Sequence, residues 1–291
     1  MLTGLDLTGR TILVTGCTAG IGFETMRALV AHGAHVVALA RSESAARDAG
    51  VRAGGATTPI SCDLADLASV AAAAAKVRNL GRPLDTIVAN AGIMGRSKVE
   101  RREGVELQFL VNHVAHFLLV TRLADLLPDQ TGRVVVVSSS AGVQLAPREG
   151  ILFDNLDGHQ NYRALRFYGQ SKLANALFAR ELSRRLTDRG VAVNALHPGV
   201  ILSTRLARNM SLPIRLIAGL AGHFTKSHAQ GAATQVLLAA SPLVAGITGQ
   251  YWADCQVSPG SRFLDDPAMA LRLWAATEDI IARSAGAAEW V

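Results

Sequence analysis

The sequence is poor in cysteine, in lysine and in long apolar runs, and each shortage excludes a class of protein. Its three cysteines, Cys17, Cys62 and Cys255, are far apart and form no CxxC pair. Such spacing excludes a disulfide framework and indicates a reducing compartment, which we expect to be the cytoplasm. No stretch approaches the roughly 18 apolar residues of a membrane span, and the N-terminal residues lack the pattern of a signal peptide. We therefore expect no membrane anchor.

Positive charge is present but is not concentrated. The net charge is +6, and arginine carries most of it because only four lysines occur, Lys76, Lys98, Lys172 and Lys226. The arginines are scattered and no nucleic-acid-binding motif accompanies them, so we expect no nucleic-acid partner. A positive surplus instead helps to attract an anionic cofactor.

A metal site is not expected either. His113 and His116 lie close together, but no cysteine or carboxylate residue near them completes a set of metal ligands. We expect each histidine to be either a core residue or a solvated one.

The chain has 291 residues, of which 49% are hydrophobic, and this is enough for one large α/β domain. Short apolar segments alternate with segments of helical periodicity, which is typical of a doubly wound parallel sheet with helices on both faces. The predicted strands, about seven in all, are residues 11–15, 35–40, 57–62, 86–89, 133–137, 191–196 and 250–253. We expect a three-layer α/β fold of the Rossmann type that spans residues 1–291 as a single domain.

Tyr168 and Lys172 are the residues on which the functional prediction depends. Their spacing would place them on one face of a helix. A phenol titrates near pH ~10 and is a poor acid or base at neutral pH, but a cation beside it favours the phenolate and lowers its pKa. The pair therefore predicts a tyrosine that exchanges a proton with a hydroxyl or carbonyl substrate. The alternative is a solvated lysine near a half-buried tyrosine.

A glycine-rich turn follows the first predicted strand. Gly16, Gly20 and Gly22 stand between that strand and a helical segment that ends at Gly33. Glycines at such a junction let the backbone turn tightly and approach a phosphate, which then meets the positive N-terminus of the helix. The pattern therefore predicts a dinucleotide site.

Arg41 and Ser42, which follow the second strand, bear on the choice of dinucleotide. NAD-binding units often have an Asp or Glu here to bond the ribose 2′-hydroxyl, whereas this chain has no acidic residue before Glu43. An arginine suits a 2′-phosphate, so we expect NADP, with NAD as the alternative. The other interpretation of Arg41 is an ordinary exposed loop residue.

Polar residues follow other strands at the same predicted edge of the sheet. Asp63 follows the third strand and Asn90 follows the fourth. Ligands of such sheets bind at the carboxyl ends of the strands, where these residues would lie. The fifth strand is followed by Ser138, Ser139 and Ser140, and a nucleophilic serine is disfavoured because no GxSxG motif surrounds them.

Two further segments have open interpretations. Asn112 interrupts a helix predicted over residues 104–127. It is a tolerated surface residue, a residue satisfied in a helical interface, or a kink or water-holding group near the site. Residues 204–226 combine arginines with an apolar run, and we interpret them as a mobile lid that favours a hydrophobic substrate, with a core helix as the alternative.

Five motifs occur in a fixed order along the chain. They are Thr15-Gly16-x-x-x-Gly20-x-Gly22, Asn90-Ala91-Gly92, a serine after the fifth strand, Tyr168-x-x-x-Lys172 and Pro198-Gly199. In this order they resemble the short-chain dehydrogenase/reductase family over nearly the whole chain. Residues 112–117, 153–156, 171–175, 197–199 and 249–255 are similar to its retinol-dehydrogenase-like branch.

The resemblance implies catalytic roles for four residues. Tyr168 would exchange the proton with the substrate oxygen, and Ser139 would hydrogen-bond that oxygen, with the serine on either side of it as an alternative. Lys172 would bind the nicotinamide ribose and lower the Tyr168 pKa. Asn112 would hold a water molecule in a proton relay.

The resemblance also implies the cofactor contacts. The three glycines of the turn would cradle the pyrophosphate, Asp63 would face the adenine, Asn90 would support the adenosine side, and Val200 and Ser203 would lie near the carboxamide. The complete expected set is Gly16, Thr18, Ala19, Gly20, Ile21, Gly22, Arg41, Ser42, Asp63, Leu64, Asn90, Ala91, Gly92, Tyr168, Lys172, Pro198, Gly199, Val200 and Ser203.

The implied activity is the transfer of a hydride between the nicotinamide and the carbon of a small-molecule alcohol or carbonyl substrate, which we expect to be lipophilic. The resemblance further implies a homodimer or homotetramer that forms through the helices over residues 104–127 and 168–186. A dinucleotide-binding sensor of the same fold is the alternative, although such a sensor would not need all four catalytic residues. An epimerase or dehydratase of the extended relatives would have another glycine spacing and an added C-terminal domain.

Overall fold

The computed structural model describes residues 4–95, 97–201 and 226–284. Within these residues one sheet contains eight strands, and the Rossmann-type prediction is confirmed. The strands are β1 Thr11–Thr15, β2 His35–Ala40, β3 Thr57–Ser61, β4 Thr86–Ala89, β5 Arg133–Val137, β6 Ala192–His197, β7 Tyr251–Ala253 and β8 Gln256–Ser258. Ser203 and nearly all of the predicted lid, residues 204–225, lie outside the described residues.

The order of the strands in the sheet is β8-β7-β6-β5-β4-β1-β2-β3. Every pair is parallel except β7 and β8, which form an antiparallel hairpin at one edge. The sequence predicted about seven strands and missed β8, because its three residues are half-buried or exposed and show no apolar pattern. Strand order reverses between β1 and β4, and a crevice for ligands opens at such a point.

Helices cover both faces of the sheet. They are α1 Gly20–Val30, α2 Glu43–Ala53, α3 Leu67–Arg78, α4 Leu107–Leu126, α5 Ala141–Gln144, α6 Ala164–Arg185, α7 His228–Ala240 and α8 Pro267–Arg283. One buried apolar cluster joins the sheet to α3, α4, α6 and α8, and a second joins it to α1, α2 and α7. The crevice therefore lies at the top of a three-layer core.

α4 changes its hydrogen-bonding pattern along its length. It begins as an α-helix at Leu107–Phe109, passes through a π-helical turn at Leu110–Val114, continues as an α-helix over Ala115–Leu123 and ends in a 3₁₀ turn. π turns occur frequently at functional sites. By length and composition alone α4 is apolar enough to cross a membrane, but 89% of its apolar window is buried inside the protein. Its apolar residues therefore form core.

α8 packs along α6 and covers the helices that were expected to form a subunit interface. The ring of Trp274 lies 4.6 Å from that of Phe117 and 5.9 Å from that of Phe178, measured between centroids. The Arg185 guanidinium stacks on the other side of the indole at 3.9 Å. A second subunit could reach this face of α6 only by displacing α8.

Candidate active site

The glycine turn between β1 and α1 leaves no room for side chains. Gly16 has a φ of +70°, and a Cβ there would lie 2.9 Å from the Cα of Ala91. A Cβ at Gly22 would lie 2.4 Å from the amide nitrogen of Asn90. The N-cap residue Ala19 makes no side-chain bond to the first turn of α1, and that turn contains no acidic residue. Its N–H groups therefore suit an anion such as a pyrophosphate.

Thr15 and Asn90 fix this turn through hydrogen bonds between the end of β1 and the loop after β4. The Thr15 hydroxyl accepts hydrogen bonds from the backbone N–H groups of Asn90 at 2.9 Å and Ala91 at 3.0 Å. The side-chain amide of Asn90 donates to the Thr15 carbonyl at 2.8 Å and accepts from Gln235 at 3.2 Å. Asn90 thus acts on the shape of the turn. Neither Thr15 nor Gln235 was predicted as a functional residue, although the place of Thr15 at the end of β1 and at the start of the glycine motif could have suggested it.

The adenosine end of the predicted site contains Asp63, Arg41 and Ser42. Asp63 is half-buried after β3, and its carboxylate accepts from the N–H of Ala65 at 3.0 Å, while Leu64 is buried. Arg41 is exposed after β2. Ser42 caps α2 by accepting from the N–H of Ala45. The carboxyl edge of the sheet thus presents one cation and one carboxylate to this end.

Arg52 was not predicted but holds the glycine turn from α2. Its guanidinium donates to the Thr18 carbonyl at 2.7 Å and lies 4.5 Å from the centre of the Phe23 ring. α2 itself was missed because its buried face consists of small residues, Ala46, Ala49 and Gly50, which give little apolar signal.

Lys172 is buried in α6 beside the crevice. Its ammonium donates to the Val137 carbonyl at 3.0 Å and lies 5.9 Å from the centre of the Tyr168 ring. Burial lowers the pKa of Lys172 from 10.5 to about 8. The two residues do share a helix and a site, as their spacing predicted.

The predicted direction of the Tyr168 pKa is not what the structure shows. Burial raises this pKa above its ordinary value of 10.0, and a hydrogen bond with Ser139 opposes the rise without cancelling it. The sequence-based argument expected Lys172 to lower it. Spacing in the sequence reveals the neighbouring cation but not the burial of the phenol or the use of the ammonium by Val137.

The three serines after β5 have separate hydrogen-bonding roles. Ser138 is buried and its hydroxyl donates to the Lys172 carbonyl at 2.6 Å. Ser139 is half-buried and hydrogen-bonds the phenol of Tyr168. The N–H of Ser140 donates to Nδ1 of His197 at 3.1 Å. Of the three, Ser139 is the one that affects the pKa of Tyr168, and its catalytic role stays a prediction.

A pair of glycines brings α5, next to Ser139, onto α6, which carries Tyr168. A Cβ at Gly169 would lie 2.5 Å from the backbone nitrogen of Ala146 and 2.6 Å from the carbonyl carbon of Leu145. A Cβ at Gly142 would lie 2.9 Å from the backbone nitrogen of Leu173. The two backbones can approach this closely only because both positions are glycine.

Asn112 lies in the π-helical turn of α4 and is fully buried. Its side-chain oxygen accepts from the N–H of Ile93 at 2.8 Å, while its NH₂ group donates to the Ile93 carbonyl at 3.0 Å and to the Ser171 hydroxyl at 2.9 Å. Gln108, which was not predicted, accepts from the N–H of Gly95 at 2.9 Å. The two amides therefore clamp the loop that follows β4. Of the interpretations left open for Asn112, a surface residue is excluded.

Gly92 separates Asn112 from Lys172. The position of a Cβ at Gly92 is 3.1 Å from the side-chain oxygen of Asn112 and 3.3 Å from Nζ of Lys172. The lack of a side chain there leaves both polar groups facing the same small space. This arrangement brings the loop after β4 directly beside Lys172.

The loop after β6 completes the edge of the site. Gly199 has a φ of +92°, and a Cβ there would lie 2.5 Å from Cδ of Lys226. The N–H of Lys226 donates to the Val200 carbonyl at 2.9 Å, and its ammonium pairs with Asp254. Pro198 is half-buried and Val200 is exposed. Among the described residues, no group of three His, Cys, Asp or Glu could hold a metal ion.

Comparison with known proteins agrees with this geometry. Residues 10–150 match the model of the family described as short chain dehydrogenase. The chain is 39% identical to the WW domain-containing oxidoreductase of Danio rerio, over 97% of this chain and 70% of that protein. It is 35% identical to human retinol dehydrogenase 14, over 94% of this chain and 86% of that protein.

Two solved structures are similar over most of the chain. A crystal structure of an uncharacterized Mycobacterium paratuberculosis protein has a TM-score of 0.76 and 30% identity and covers 94% of each chain. The angucycline C-6 ketoreductase LanV with bound NADP has a TM-score of 0.68 and 26% identity, and the match covers 86% of this chain and 95% of that one.

Proposed function

The chain belongs to the short-chain dehydrogenase/reductase family, and from this premise we propose that it is an NADP(H)-dependent oxidoreductase of alcohols and carbonyls. The observation that carries the proposal is the grouping of Ser139, Tyr168 and Lys172 at the carboxyl edge of the sheet. Lys172 adjoins Gly92, and the backbone of the same loop contacts the glycine turn at Gly16. A dinucleotide bound along the turn would therefore reach the three catalytic groups.

Tyr168 is the proposed proton donor. A bound nicotinamide would supply the hydride. Because burial keeps the pKa of Tyr168 above its ordinary value, the phenol is protonated at neutral pH and suits donation to a carbonyl oxygen. Ser139 would hydrogen-bond the same oxygen, and Lys172 would bind the nicotinamide ribose. The space between Asn112 and Lys172 suits a water molecule through which the proton is replaced. The protonated phenol of Tyr168 favours the reductive direction, in which the carbonyl oxygen takes up a proton.

NADP is the proposed cofactor. Arg41 is exposed at the end of β2, where a guanidinium can pair with a 2′-phosphate, and the similar ketoreductase LanV was solved with NADP. In the Arg41→Asp variant, the ratio of specificity constants for NADPH over NADH should fall at least about tenfold because the charge pairing becomes repulsive. An unchanged ratio would mean that Arg41 does not read the phosphate.

A lipophilic substrate is proposed from the rim of the crevice. Val143, Leu145 and Val200 follow the strands that carry the catalytic loop and the loop after β6, and their side chains are 47%, 41% and 56% exposed. Residues 204–226 are proposed to close over such a substrate, and residues 1–291 to form one domain. We further propose a cytoplasmic location. A homodimer or homotetramer would need surfaces other than the face of α6 that α8 covers.

The proposal is tested by following NADPH oxidation with a panel of aliphatic and aromatic ketones and aldehydes. Tyr168→Phe should lower kcat by about 10²–10⁴-fold because the proton donor is lost, while NADPH binding measured by fluorescence stays within about twofold. Tyr168→Phe keeps the ring and thus the packing. NADPH binding without turnover of any member of the panel would instead favour the sensor of the same fold.

A further inference from the structure

We propose that His116 is a positioning residue that joins the glycine turn to the catalytic helix through one fixed, neutral tautomer. The inference rests on the proposed function. His116 lies in α4, two residues beyond the π-helical turn, and is 1% exposed. Its Nε2 is 2.9 Å from the Thr15 hydroxyl, and its Nδ1 is 3.1 Å from the Asn112 carbonyl. The ring therefore spans the distance between β1 and the π-helical turn.

The hydrogen-bond inventory of Thr15 decides the tautomer. Its hydroxyl already accepts from the N–H groups of Asn90 and Ala91. A hydroxyl has two lone pairs and one hydrogen, so the remaining bond, to His116, is one in which Thr15 donates. Nε2 of His116 is consequently the acceptor and carries no proton.

The protonation of Nδ1, the other ring nitrogen of His116, follows from the charge of the ring. Burial lowers the pKa of His116 to about 4, so the ring is neutral and has one N–H. With Nε2 bare, this N–H is on Nδ1 and donates to the carbonyl of Asn112. The hydrogen bonds on the two sides of the ring are thus not interchangeable.

The bond to Asn112 extends the connection to the tyrosine. The Asn112 amide donates to the Ser171 hydroxyl, which donates to the Tyr168 carbonyl at 2.8 Å. Two sets of hydrogen bonds, joined covalently within Asn112 between its backbone carbonyl and its side-chain amide, therefore connect the backbone of the loop after β4, through Thr15 and His116, to the turn of α6 that holds the phenol. His116 transfers no proton in this arrangement; it sets the relative position of the cofactor turn and of Asn112.

Two isosteric variants separate the two bonds. His116→Gln can place an oxygen where Nε2 lies and so keep an acceptor for Thr15, but it loses the bond to Asn112. His116→Asn can place an NH₂ group where Nδ1 lies and so keep the donor to Asn112, but it loses the bond to Thr15. Each lost bond leaves a buried polar group unpaired, which corresponds to about a tenfold effect.

The expected result is a split between binding and turnover. His116→Asn should raise the Kd for NADPH about tenfold, with kcat within about threefold of wild type. His116→Gln should lower kcat about tenfold, with Kd within about threefold. Equal changes in Kd and kcat in both variants, in proportion to a loss of Tm, would overturn the proposal and make His116 a packing residue.

His113→Gln is the matched control. His113 is equally buried in the same helix, but its ring packs on Phe109 and Phe178 and its Nε2 bonds to Thr277 of α8. This variant should lower Tm and leave the Kd for NADPH within about twofold, since its bond to Thr277 lies away from the glycine turn.

Two readouts are independent of turnover. The Kd for NADPH is measured by fluorescence titration and needs no turnover. A wild-type protein that reduces no carbonyl would refute the proposed function, whereas the Kd values of His116→Asn and His116→Gln would still test the role of His116. The ¹⁵N shifts of the His116 ring, assigned by comparison with His116→Gln, should show a protonated Nδ1 and a bare Nε2. A proton on Nε2 would overturn the inference even if the enzyme is active.

Discussion

The proposed cofactor side and the proposed catalytic side of the crevice are held in place by different means. The cofactor side, formed by the glycine turn and the loop after β4, is held by side chains that hydrogen-bond to backbone, chiefly Thr15, Asn90 and Asn112. The proposed catalytic side, formed by the Ser139 loop with α5 and by α6, is held chiefly by the close approach of backbones at Gly142 and Gly169, and the hydrogen bond from the Ser138 hydroxyl to the Lys172 carbonyl adds to it.

This difference separates two kinds of constraint. A turn fixed by hydrogen bonds depends on the partners being present, and a missing partner leaves a buried polar group unpaired at a cost of about 1–3 kcal/mol. A close contact at glycines depends on the lack of a side chain, and an added Cβ forces the two backbones apart. Mutations on the cofactor side should therefore act first on NADPH binding, and those on the catalytic side on turnover or stability.

The largest expected effect is a loss of stability when α8 no longer packs against α6. Trp274→Ala should lower the free energy of unfolding by about 3–5 kcal/mol, because the buried indole packs against both Phe117 and Phe178. Urea denaturation measures this, with Leu271→Ala, half-exposed on the same helix, as a control that should stay within about 0.5 kcal/mol. A loss below about 1 kcal/mol for Trp274→Ala would mean that α8 does not support α6.

The next effect is the pH dependence that Lys172 gives to stability. Its folded pKa of about 8 lies below the ordinary 10.5, so between these values the unfolded chain binds more protons than the folded one. Stability of the cofactor-free protein should therefore rise with pH across this window, by at most about 3 kcal/mol. Lys172→Met should lack this rise. Parallel profiles for the two proteins between pH 8 and 10.5 would contradict the lowered pKa.

A smaller effect, on kcat, tests the glycine contact itself. Gly169→Ala would put a methyl group 2.5 Å from the backbone of Ala146, and the shift that relieves it should lower kcat about 100-fold. The Kd for NADPH should stay within about twofold. Gly81→Ala, where a Cβ meets nothing within 4 Å but φ is +64°, controls for a glycine substitution that strains the backbone away from the crevice. A normal kcat in Gly169→Ala would remove the distinction between the two sides.

The smallest effect tests the hydrogen bonds of the cofactor side. Thr15→Val keeps the shape of the side chain but leaves the N–H groups of Asn90 and Ala91 without their acceptor. The Kd for NADPH should rise about tenfold, and Thr15→Ser should restore it. If Thr15→Val weakens binding no more than Thr15→Ser does, the turn is fixed by packing on this side as well.

The parts of the fold that could be predicted from the sequence are those with local signals. β1, β2, β4 and β5 were predicted with their observed bounds, because each is a short apolar run bounded by turn residues. The glycine turn was predicted because its spacing lies between a strand and a helix. By contrast β8 and the small hairpin of Arg101–Arg102 with Val105–Glu106 were missed, since segments of two or three residues have no measurable periodicity.

The parts of the site that escaped prediction depend on contacts distant in sequence. Thr15 and His116 are 101 residues apart in the chain, and no local sequence pattern around either residue indicates the hydrogen bond between them. The sequence around Gln108 indicates only a helix, and its bond to the loop after β4 is visible only in the fold. The direction of the Tyr168 pKa was predicted wrongly for the same reason, since burial is a property of the whole fold.

The π-helical turn of α4 has a consequence for how related chains are aligned. It accommodates one residue more than an α-helical turn would, and each residue of an α-helix accounts for about 100° of rotation. A relative that lacked one residue between Leu110 and Val114 would keep His116 against β1 but rotate Gln108 away from Gly95. An alignment gap inside this apparently regular helix would therefore mark a real change of register, and the amide clamp on the loop after β4 would be absent from such a relative.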